Sequence, residues 1–179
     1  MWVPTLLSLD PPGGLPTGCV FSSLMIAITI GGMLYPALQA FFSKYLMIGR
    51  FAPEACASFV YLLAAASMAV PASFLSQVSS QGSLIITVAS FLVVEGCVGL
   101  FMPVAGTLRS KYVPDELQGA ILNIFRLPLN AVVVGGTYAT DVLEPALVFK
   151  LVSLSFFAAA LLQASMMLSA PASAAKKKD

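Results

Sequence analysis

The chain has 179 residues, 59% of them apolar and only 9% charged, with a formal net charge of +1. Soluble domains run about 45–50% apolar and about 25% charged, so a mean hydropathy of +0.93 fits a chain whose solvent is a bilayer. The net charge by itself says nothing about nucleic acid, but the charges are sparse and no basic stripe is interleaved with aromatics, so no nucleic-acid partner is expected. The absence of histidine removes Ser-His and Cys-His catalysis, His-ligated haem and histidine-based zinc hydrolysis; neither an enzyme nor a cofactor is expected.

In chain order, residues 1–16, "MWVPTLLSLDPPGGLP", are too short to span a membrane and lack the basic start of a signal peptide. They read as the end of a preceding transmembrane helix and its outer loop, with Trp2 at the interface. Five apolar stretches then reach the roughly 20 residues that a span requires. They run from about Cys19 to Phe42, Ala55 to Leu75, Ser83 to Thr107, Leu117 to Tyr138, and Pro145 to Leu168. The expected fold is all-α: a polytopic transmembrane bundle over 17–170, followed by a basic tail at 171–179. "SQVSSQGS" (76–83), "LRSKYVPDELQ" (108–118) and "TYATDVLEP" (137–145) read as loops. Pro114 and the two acids after it suit the start of a helix. Cys19, Cys56 and Cys97 match no metal or redox spacing and read as small apolar fillers.

Alternation of sides puts Lys44, Arg50, Arg109, Lys111, Lys176, Lys177 and Lys178 on one face, against Asp10, Asp141, Glu144 and one base, Lys150, on the other. By the positive-inside rule the C-terminus is cytoplasmic and the N-terminus faces out. An integral, multi-pass protein follows, expected in the plasma membrane.

A few polar residues stand out along the spans. Ser22 and Ser23 either line a cavity or bond back to their own helix carbonyls. Ala27 and Gly31 form a small-residue pair suited to close helix contact, and Gly96 and Gly99 read as packing residues beside Glu95. Glu95 and Arg126 lie near the middle of consecutive spans, where an unpaired charge costs about 2.5–3.5 kcal/mol on insertion scales. Pairing would relieve both. Asn123, Arg126 and Asn130 share one helix face with Thr137, and a row of donors around a fixed positive charge suits an oxyanion. Two readings stay open for the Glu95–Arg126 pair: a lock between helices, or part of a ligand site. Pro128 frees a carbonyl beside this face and predicts a kink. Arg109 and Lys111, at the cytoplasmic rim, set topology or form a gate. Lys150 has no reading beyond snorkelling toward the interface.

Three ordered blocks carry a family resemblance: "FSSxMxAxxxGxxLY" at Phe21 to Tyr35, "FLxxExxxGLxxPxxxxLRxK" at Phe91 to Lys111, and "PxxxQxxxLNxFRxPLN" at Pro114 to Asn130. Together they resemble the eukaryotic molybdate-anion transporter family, a branch of the major facilitator superfamily. The opening "WVPTL", "LDPP" and "PTG" resemble the end of that family's seventh helix and the following loop. The five spans would then be helices eight to twelve of a twelve-helix fold. The resemblance implies two pseudo-symmetric halves, alternating access, and molybdate as the anion carried, with Glu95, Asn123, Arg126, Pro128 and Asn130 at motif positions. Beyond Tyr138 it rests on hydropathy. One departure is a missing acid in "GGMLYPALQAFFSKYLMIGR", where the superfamily often carries a charged loop. The other is the absent front half, without which transport is not expected, since the site lies at the repeat interface. That half would be this chain's partner. The rival readings are a non-transporting membrane fragment that binds a partner, and a facilitator for another solute such as a sugar.

Overall fold

The structure is a computed structural model that describes residues 2–9, 13–45, 51–74 and 81–169. Asp10, Arg50, residues 75–80, the 171–179 tail with its three lysines, and the side chain of Trp2 lie outside the described residues. Six helices follow one another: α1 (Trp2–Leu7), α2 (Thr17–Tyr45), α3 (Ala52–Phe74), α4 (Gln81–Tyr112), α5 (Asp115–Val142) and α6 (Pro145–Ser169). The last five are long and apolar enough to cross a membrane. They are the five expected spans, and the fold is an all-helical transmembrane bundle.

The helices overrun the expected boundaries. "LRSKYVPDELQ" is not a loop: α4 continues to Tyr112, and only Val113 and Pro114 separate it from α5. "TYATDVLEP" is likewise helical as far as Val142. A polar run ends an apolar span, but it need not end a helix. At 1.5 Å per residue, helices of 28 to 32 residues outreach a hydrocarbon core about 30 Å thick and carry their charged ends into the interface. Pro114 caps the start of α5, and Asp115 and Glu116 occupy its first turn, where the positive end of the helix dipole favours acids.

The bundle is ordered α6–α3–α4–α2, with α3 packed broadly on both α6 and α4, and α4 on α2. Near the charged end the core gathers Tyr35, Cys56, Val60, Cys97 and Val104. Near the other end Leu6 of α1 enters a cluster with Leu24, Met68, Phe91 and Phe149. Cys56 and Cys97 are buried free thiols, in keeping with their role as apolar fillers.

Glycine sets the α2–α4 contact. A Cβ on Gly31 would run into the carbonyl of Gly96, and one on Gly99 into the carbonyl of Ile28. The two backbones touch, which is how helices associate where lipid removes the hydrophobic drive. The Tyr35 hydroxyl adds an interhelical bond by donating to Thr107 Oγ1 at 2.9 Å; the Thr107 hydroxyl donates in turn to the Pro103 carbonyl. Between α3 and α6, the Ser153 hydroxyl donates to the Ala65 carbonyl at 2.8 Å.

One ion pair closes the charged end. Glu54, in the first turn of α3, is fully buried. Its Oε1 accepts from Lys111 Nζ at 2.6 Å and also from the Tyr112 hydroxyl. The lysine further lies 5.5 Å from the ring centres of Phe51 and Tyr112. Because Lys111 keeps about a third of its side chain exposed, its ammonium retains part of its hydration, while the carboxylate has none.

Two stability predictions follow from these contacts. Gly31→Ala or Gly99→Ala is expected to cost about 1–3 kcal/mol through overpacking, whereas Gly135→Ala, with open space around it, gains up to about 1 kcal/mol of helix propensity. Thermal unfolding in detergent checks this, and equal effects at the three sites would refute the close contact. By the same assay Lys111→Ala, which strands a buried carboxylate, is expected to cost about 2–3 kcal/mol. Glu54→Gln, which leaves a lysine that reaches water, is expected to cost about 1 kcal/mol. The reverse order would contradict the asymmetric burial.

Candidate functional site

The polar stripe belongs to α5. Its residues recur at three- and four-residue steps in an otherwise apolar helix, so Asn123, Arg126 and Asn130 lie on one side. This helix has the strongest amphipathic asymmetry of the five long ones. It is also the one with no buried residue. It has no extensive contact with α3 or α4 and meets α6 only slightly. The apolar side is as bare as the polar one: Leu127 is 81% exposed and Val132 70%. Pro128 lies inside α5, which remains a single helix from Asp115 to Val142.

Arg126 and Glu95 are not brought together. Arg126 is exposed near the middle of α5, and Glu95 is half-buried near the middle of α4. The ion pair among the described residues is Lys111 with Glu54 instead. Both members of the expected pair therefore stand without an ion-pair partner among the described residues. The physical reason is the course of α5: after the two-residue link at Val113 and Pro114 it leaves the bundle rather than folding back along α4.

The remaining candidates divide by what their polar atoms do. Ser23 donates to the Cys19 carbonyl at 2.9 Å and Thr137 to the Val133 carbonyl at 2.9 Å, so both hydroxyls are engaged by their own helices. Ser22 is exposed and makes no side-chain hydrogen bond among the described residues. Lys111 is occupied by Glu54. Arg109, two residues earlier, is half-buried, and its Nε is fully buried with no hydrogen-bond partner. Of the two rim cations, Arg109 is therefore the one with an unused donor facing inward.

Sequence reasoning missed Glu54. Its signal was present, because "FAPEACA" places proline and an acid at the head of an apolar run, as "VPDEL" does at the head of α5. Its partner could not be found in this way, since Lys111 lies 57 residues away.

Among the described residues no group of histidine, cysteine, aspartate and glutamate is placed to hold a metal ion. What the α5 stripe offers is hydrogen-bond donors, one guanidinium and two amides; the unengaged Ser22 hydroxyl lies apart, on α2. Such a set recognises an anion that accepts from several directions.

Comparison with known proteins finds relatives by sequence alone. No known family description matches the chain, and no solved structure matches it significantly. Curated relatives do. Over 130 residues the chain is 32% identical to a molybdate-anion transporter of Xenopus tropicalis, an alignment covering 73% of this chain and 26% of the relative. The transporter of the same name from Danio rerio is 33% identical over 130 residues, 73% of this chain and 24% of the relative. That of Takifugu rubripes is 30% identical over 134 residues, 73% and 25% respectively. By sequence the chain is a homologue of these molybdate-anion transporters and spans about a quarter of the length of the relatives it matches.

Proposed function

We propose that this chain is the C-terminal portion of a major facilitator transporter that carries molybdate, or a similar tetrahedral oxyanion, by alternating access. The observation that carries the reading is α5: a helix long and apolar enough to span, with a central Arg126 flanked by Asn123 and Asn130, that nothing among the described residues buries. An arginine at that depth is favourable only beside an anion, a carboxylate or a wet cavity. The rest of the transporter supplies the opposite wall, so that α5 lines a cavity between the two halves.

In that cavity Arg126 attracts the dianion, and its planar fork holds two oxygens. Asn123 and Asn130, above and below it, donate amide hydrogens without adding charge. Ser22 and Ser23, on α2, join the cavity wall only when α5 closes on the bundle, Ser22 with its hydroxyl unengaged and Ser23 with its hydroxyl already given to the Cys19 carbonyl. Glu95 is the resting partner of Arg126 between transport cycles, reached when α5 closes on the bundle. A carboxylate repels a dianion, so Glu95 is protonated or turned away while the anion is bound. Pro128 gives α5 a point at which to bend between the two states. At the rim, Arg109 is the gate residue that pairs with the front half, and Lys111 holds α3 to α4 through Glu54. The charged end faces the cytoplasm with the C-terminal tail, and the protein resides in the plasma membrane.

In cells expressing the complete transporter, Arg126→Ala is expected to lower molybdate uptake by at least about tenfold, the value of a charge-assisted hydrogen bond, at unchanged surface expression. Arg126→Lys is expected to retain part of the activity, since it keeps the charge and loses the fork. Labelled-molybdate uptake measures both. Uptake that survives Arg126→Ala ends this assignment of the site. Competition by sulfate and tungstate, but not by hexoses, is the expected selectivity.

A further inference from the structure

Away from α5, a groove of about 650 Å³ runs along the outside of the α3–α6 pair. On the α3 side Leu62, Ala66, Ala69 and Ser73 lie along it, and on the α6 side Leu154 and Phe157. Alanines make the groove, because larger side chains there would fill the seam between the helices. Leu62 to Ser73 is eleven residue steps, or about 16 Å of helix axis. That is close to half of the roughly 30 Å hydrocarbon thickness, the depth of one leaflet. The groove has the length of one acyl chain.

Its mouth carries a single cation. Lys150 lines the groove and is the one ionisable residue of α6, five residues from the start of the helix. It is exposed and makes no ion pair among the described residues, although Asp141 and Glu144 lie at the same end. Snorkelling explains how a lysine is tolerated there. It does not explain why the cation stands over an apolar slot whose other polar side chains, Ser73 and Ser153, already donate to the carbonyls of Ala69 and Ala65.

We infer that the α3–α6 groove is a binding site for an anionic glycerophospholipid, with one acyl chain along the alanines and the headgroup phosphodiester on Lys150. Charge complementarity selects the headgroup and the groove's length fits the chain. The site is separate from the α5 stripe and stands whether or not molybdate is the solute carried.

The test uses the protein purified at its full expressed length and equilibrated with mixed micelles holding equal amounts of phosphatidylglycerol and phosphatidylcholine. Native mass spectrometry counts bound lipid. The native protein is expected to prefer phosphatidylglycerol about fivefold, the value of one basic residue near an anionic headgroup. Lys150→Gln is expected to bring the preference to parity with total lipid unchanged, and Lys150→Arg to keep it. Ala69→Phe, at an exposed position, is expected to remove the bound lipid altogether. Equal binding of the two lipids by the native protein, or a preference that survives Lys150→Gln, overturns the proposal. So does a dimer mass that disappears in Ala69→Phe, which would make a second copy the occupant.

Discussion

Every helix contact in this chain answers to one constraint: in lipid, burying apolar surface against another helix gains little, because the hydrocarbon is as good a neighbour. Helices stay together through close backbone approach or a bond between them. The α2–α4 pair has both, with Gly31 against Gly96, Gly99 against Ile28, and Tyr35 bonded to Thr107. The α3–α6 pair has a bond from Ser153 to the Ala65 backbone and a stripe of alanines. The α3–α4 pair has the Glu54–Lys111 ion pair, placed where one member still reaches water.

α5 lacks these devices. Gly135 and Gly136 meet nothing, the Thr137 hydroxyl is turned back on its own helix, and Arg126 finds no acid among the described residues. Its separation from the bundle is therefore what its side chains dictate within this chain. The same constraint explains the short links at Val113–Pro114 and Leu143–Glu144. They tie α5 at both ends and leave its middle without a neighbour.

Much of the architecture was legible in the sequence. Five apolar runs became five helices, because hydropathy over a bilayer's thickness is a direct physical requirement. Gly31, Gly96 and Gly99 were readable as packing residues, since small side chains in a span have few other uses. Pro114 with Asp115 and Glu116 marked a helix start that the structure contains. Helix ends were less legible: Arg109, Lys111, Thr137 and Asp141 are polar, yet helical hydrogen bonding persists through them into the interface. The neighbours of α5 were not legible at all. Adjacency in sequence pointed to α4 and Glu95, but which helix packs on which depends on side chains that meet only in the fold. The same limit hid the Glu54–Lys111 pair, although each of its members carried a local signal.

The composition of α5 bears on what the helix faces. Were lipid its only surroundings, Leu127, Val132 and Val134 would be well solvated, while Arg126 would carry a cost of about 2.5–3.5 kcal/mol, with Asn123 and Asn130 adding to it. Were water its only surroundings, the arginine would be satisfied and the exposed leucines and valines would not. No single solvent suits both sides of this helix. A wall that is part apolar and part wet does, and the interface between two halves of a transporter is such a wall. The polar stripe is narrow, because Asn123, Arg126 and Asn130 follow one another at three- and four-residue steps on one side of the helix. Under the proposed function, a guanidinium at mid-depth with amides one turn to either side suits a small anion and gives a larger polar solute few partners.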